Sequence, residues 1–136
     1  MSAVINTKRA LERRLSRGLV GVQIAYENVS FTPPTNAAYV RTQFLISKPD
    51  DPVIGDLYYR ERITFQVFVI DLSNKGTASA LTLAEQIRAL FKKGTTINES
   101  GTNIYVLNTP KISGTTIVND RVIVPIMIEV VAEVYN

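Results

Sequence analysis

Residues 122–134 read Val122-Ile123-Val124-Pro125-Ile126-Met127-Ile128-Glu129-Val130-Val131-Ala132-Glu133-Val134, with an apolar side chain at every even position. That period of two marks a strand with one face against a core. A slip of one residue would turn the whole even set to the other side, so the pattern also fixes register. The odd face is mixed, holding Ile123, Pro125, Met127, Glu129, Val131 and Glu133. Pro125 has no backbone donor and points to an edge position or a bulge.

The matching segments lie upstream. From Leu57 to Ile70 the odd positions Tyr59, Ile63, Phe65, Val67 and Val69 are apolar. Its even positions run from Arg60, Arg62, Thr64 and Gln66 to Phe68 and Ile70, so the second face becomes apolar late in the strand. Residues 38–47 carry apolar groups on both faces and need cover on both sides or an interface. Residues 21–28 predict a further short strand. Lys48-Pro49-Asp50-Asp51-Pro52 has the composition of a loop.

Two helices complete the pattern. Val4, Leu11 and Leu15, with Ala10 and the stem of Lys8, predict one over 3–15, and Gly18 is read as its stop. Ser73-Asn74-Lys75-Gly76 turns the chain, and Thr77 or Ser79 is the expected cap of the second. Ala80, Leu83, Ala84, Ile87, Leu90 and Phe91 form its stripe, and Gly94 ends it. Residues 95–112 predict short strands around a loop at 98–101, with turns at Gly114 and Asn119-Asp120. The order predicts one α+β domain spanning 1–136: a mixed, mainly antiparallel sheet of five to six strands packed with two α-helices.

Composition narrows the chemistry. The chain has no Cys and no His, which removes disulfides, thiolate nucleophiles, imidazole bases and nearly all zinc, copper and haem sites. No phosphate-loop, dinucleotide or nucleophile-elbow motif is present. Asp50, Asp51 and Asp56 do not keep calcium-loop spacing, since Pro52 interrupts it. Glu61 and Asp71 share a face but lie about 33 Å apart along one strand, too far for a paired acid and base. Glu129 and Glu133 are about 13 Å apart without a visible catalytic partner. We therefore expect no catalytic residues, no metal and no cofactor. No apolar run approaches the length of a membrane span, and no secretory leader is visible.

What remains points to contact with partners. Net charge is +3, but five cations against Glu12 put +4 into the first 21 residues and leave the remainder at −1. Arg9, Arg13 and Arg17 follow at helical steps on one face, which suits acidic neighbours or, alternatively, a phosphate backbone. Phe31, Pro33 and Pro34 sit in a stiff extended segment between two strands. Glu129 and Glu133 suit cations across an interface, with Arg60 and Arg62 as mates within the sheet.

The stretch Tyr26 to Pro34 (YENVSFTPP), behind a short helix and ahead of Tyr39-Val40-Arg41, resembles tail-terminator proteins of long-tailed bacteriophages, of the siphovirus and myovirus types. The strand around Phe65 to Val69, the helix 80–91 and the closing strand extend that resemblance, while 95–120 offers little to compare. The resemblance implies a virion structural protein that forms a ring, usually hexameric, at the head-proximal end of the tail tube. Such a ring stops tube growth and presents a docking surface to head-completion or connector proteins. It implies assembly in the host cytoplasm, passage of DNA without sequence-specific binding, and no membrane. Another head–tail joining ring, or a nucleic-acid-binding module using the basic helix, are the alternatives. The interface residues expected on this reading are Arg9, Arg13, Phe31, Pro33, Pro34, Tyr39, Arg41, Asp50, Asp51, Arg60, Arg62, Glu129 and Glu133.

Overall fold

A computed structural model describes residues 2–74 and 76–135, so Lys75 of the expected turn lies outside the described residues. Helix α1 (Ala3–Gly18) precedes strands β1 (Gln23–Ala25), β2 (Tyr39–Ile46) and β3 (Tyr58–Leu72). Helix α2 (Ala78–Leu90) follows, and then β4 (Thr96–Glu99), β5 (Thr102–Val106), β6 (Lys111–Ile112), β7 (Thr116–Val118) and β8 (Arg121–Tyr135). The strands form one mixed sheet in the order β1-β2-β3-β8-β5-β4. Among the described residues β1 and β2 run parallel, and the remaining ladders are antiparallel.

The backbone of the sheet is the β3–β8 ribbon. Its ladder runs unbroken from Tyr58↔Tyr135 to Leu72↔Arg121, and strands of this length reach about 50 Å. The even set of β8 from Val122 to Ala132 is buried, as the alternation requires. Facing it from β3 are Ile63, Phe65, Val67 and Val69, also buried. Burying each such side chain contributes about 1.5–3 kcal/mol. Helix α2 closes this face with Leu83, Ala84 and Ile87, and Phe91 meets Phe65 edge-on at 5.9 Å.

Along its other side β8 pairs in succession with β7, β6 and β5, so it is a central strand and Pro125 is not at an edge. The Ser113 N–H donates to the Pro125 carbonyl at 2.9 Å. Backbone N and O of one strand residue point the same way. The missing donor of Pro125 therefore faces residues 113–115, where β6 has ended and β7 has not begun.

Several boundaries move for local reasons. β1 is three residues long, because the chain turns at once: Asn28 takes a left-handed φ of 55° and Val29 N–H donates to Tyr26 O at 3.3 Å. Helix α1 runs three residues beyond Leu15, and Leu19, not Gly18, carries the closing hydrogen bond to Leu15. Gly18 serves packing: a Cβ there would lie 2.3 Å from the Leu90 side chain. Thr77 is the N-cap of α2 but makes no capping bond with its side chain, and Ser79 Oγ donates to the buried Asp71 instead. The turns at Ser100-Gly101 and Asn119-Asp120 have both residues left-handed, as two-residue hairpins demand.

Candidate interaction surfaces

Helices lie on one face of the sheet, and among the described residues none covers the opposite face of the β3–β8 ribbon. At its far end Glu133 gathers three phenols. Tyr105 OH donates to Oε1 at 2.7 Å, while Tyr58 and Tyr135 donate to Oε2 at 2.8 and 3.2 Å. The Tyr105 and Tyr58 hydrogen bonds hold the Glu133 carboxyl below its ordinary value against the opposing effect of burial. Tyr105 is raised chiefly by its bond to Glu133, and Tyr58 and Tyr135 chiefly by burial. The tyrosines, invisible as a set in the sequence, converge only because β3, β5 and β8 are neighbours.

The expected cross-strand mates separate accordingly. Arg60 stands opposite Glu133 in register and adds its charge there, yet the carboxylate oxygens are taken by the phenols. Arg62 pairs with Asp50 at 3.0 Å, and Glu129 accepts from Asn108 Nδ2 at 2.8 Å. Both glutamates keep their negative charge: their hydrogen-bond donors here, an amide and three phenols, are neutral.

Loop 26–38 is anchored to its own chain. Phe31 is half-buried with its ring 5.1 Å from Tyr39. Arg121 donates to the carbonyls of Pro34 and of Ala37 (3.0 Å for the latter) and lies 5.6 Å over the Tyr39 ring. Pro33 stays exposed. Between this loop and the β1–β2 edge lies a groove of about 510 Å³, lined in part by Tyr26, Phe31, Arg41 and Gln43. Arg41, exposed, lies 5.1 Å over the Phe68 ring.

Loop 47–57 is held near its two ends: Ser47 N–H donates to Arg62 O at 2.9 Å, and Asp56 has a partner as well. Asp50 and Arg60 exchange backbone hydrogen bonds of 2.9 Å, and the Arg62 pair adds a second tie. Beyond Asp51 its aliphatic groups are uncovered, with Leu57 at 71% exposure and Ile54 fully exposed.

The basic face of α1 borders a second groove, of about 470 Å³, between α1, α2 and β4. Ala10, Leu90 and Ile97 supply its apolar lining, and Arg13, Arg14 and Arg17 its charge. Arg13 pairs with Glu99 at 2.6 Å, and Arg14 Nε donates to Leu90 O at the end of α2. Arg9 is exposed and already has a partner within the chain. A helix C-terminus repels anions, so the carbonyl end of α2 disfavours phosphate at this groove.

Among the described residues no helix is long and apolar enough to cross a membrane. A family model described as phage tail terminator protein matches residues 6–129. Among solved structures one chain aligns over 100% of this chain and 99% of its own, at 25% identity and a TM-score of 0.79. No curated protein matches.

Proposed function

Because the chain belongs to the phage tail terminator family, and so is a structural component of a phage tail, we propose that it forms a closed ring at the head-proximal end of the tail tube. The ring stops tube growth on one face and receives a head-completion or connector protein on the other. Its role is geometric and involves no turnover. Identical subunits joined head to tail repeat around an axis until the rotation closes. The next tube subunit then meets a surface that does not continue the tube.

The supporting observation is the placement of uncovered apolar surface. Among the described residues outside the tip of loop 47–57, the most exposed large apolar side chains are Val20, Leu57, Ile117 and Tyr135. Ile117 stands at the end of the β3–β8 ribbon that holds Leu72 and Arg121, and Val20 lies just before β1, which starts toward that end. The other two stand at the opposite end, where Tyr58 pairs with Tyr135. Apolar surface divided between two opposed ends suits a subunit placed between two different partners.

Adding the purified chain to polymerising tail tube protein tests this reading. Tubes are expected to stop elongating once capped, and short preformed tubes to lose their capacity to grow. Unchanged elongation at every ratio of the two proteins contradicts it.

A further inference from the structure

Successive ladders place five residues on one line across the sheet. Asp50 bridges Arg60, Arg60 faces Glu133, Glu133 faces Asn103, and Asn103 faces Asn98. Four strand spacings separate the two ends of that line, about 19 Å. Loop 47–57 rises at the Asp50 end. The α1–α2–β4 groove opens at the Asn98 end, since Asn98 is part of its wall.

The two features complement each other in shape and charge. The loop offers Val53 and Ile54 behind the acid Asp51; the groove offers an apolar lining beside arginines. Asp51 and Arg17 form no ion pair with the described residues. The loop is also held away from its own groove, because the Asp50–Arg60 bridge and the Arg62 pair fix its base beside β3.

We infer that loop 47–57 of one copy seats in the α1–α2–β4 groove of the next, with Ile54 against Leu90 and Ile97 and Asp51 facing Arg17. The inference rests on the ring proposed above and names its subunit contact. Two different surfaces meet, so the contact is heterologous. Both lie on one line across the strands, so each added copy steps sideways with little shift along the strand direction. Such a contact closes into a ring when the rotation between successive copies divides a full turn.

The absence of cysteine supplies the test. Ile54→Cys and Ile97→Cys, combined in one chain, put one thiol on each side of the proposed contact. When the protein is assembled, either free at high concentration or on tail tubes, oxidation is expected to give a ladder of covalent oligomers up to the ring number. Each single variant gives dimers at most. Independently, Arg17→Glu or Asp51→Arg should weaken association about tenfold, and the two together should restore it.

If rings form but the double-cysteine chain gives no ladder and the charge variants assemble like the wild type, the loop–groove contact is wrong while the ring stands. If the charge variants make normal rings but no longer attach to tubes, the loop belongs to the tube subunit and the inference is overturned. If the wild type forms no ring in solution or on tubes, the ring reading itself fails.

Discussion

Two loops of this chain carry prolines and join neighbouring strands, yet they are held in opposite ways. Loop 26–38 is clamped along its length by Arg121 and by the Phe31–Tyr39 contact. Loop 47–57 is tied near its two ends, at Ser47 and Asp50 on one side and with a partner for Asp56 on the other, and its aliphatic part stands in solvent. Proline stiffens a segment by fixing φ in folded and unfolded chains alike. It does not decide whether the segment's apolar groups turn back on the protein or outward to a partner. That decision falls to a residue far away in sequence: Arg121 is 87 positions from Pro34.

Breaking each anchor separates the two cases. Arg121→Ala should cost about 2 kcal/mol, since it removes charged hydrogen bonds to two carbonyls. Loop 26–38 should then become the preferred site of limited proteolysis, with stability read from urea unfolding. Glu133→Gln should cost about 1 kcal/mol by weakening the bonds from three phenols. Its pH dependence has a definite sign. The folded carboxyl is held low, so its contribution is full above the ordinary carboxylate value and disappears as pH falls through the lowered one. The gap between wild type and variant should therefore shrink toward acid. The raised tyrosines act oppositely, favouring the fold until pH rises past their ordinary value and losing that contribution as it passes the raised ones.

Arg62→Ala should cost no more than about 0.5 kcal/mol, because the Asp50 pair is exposed on both sides. Ile54→Ala should leave unfolding within about 0.5 kcal/mol of wild type, as surface substitutions do, while reducing assembly. A large loss of monomer stability in Ile54→Ala would place that side chain in the fold and erase the contrast between the loops.

The sequence made legible what repeats locally. The even face of 122–134, the odd face of 57–70 and the stripe of α2 each follow from a period carried by consecutive residues. Features that depend on partners distant in sequence were not legible. Pro125 looks like an edge residue until the break between β6 and β7 is known. Asn6 and Thr7 are polar and do not extend the apolar stripe of α1, yet both are buried, and Asn6 Nδ2 donates to Thr102 Oγ1 at 2.9 Å across 96 residues. The short strands within 95–118 take their register from β8, so their number could not be read from segments of two to five residues. Gly18 reads as a stop by type, whereas its use is the close approach of Leu90. Of the interface candidates, the acidic loop and the basic helix were visible as charge. Their places on one line across the sheet required the ladders.

An electron cryomicroscopy reconstruction of the protein at the end of a tail tube tests the account most directly. The expected result is a closed ring in which Ile54 of each subunit lies against Leu90 and Ile97 of its neighbour and Asp51 faces Arg17. An open helical arrangement, or a ring in which loop 47–57 touches no neighbouring subunit, would contradict it.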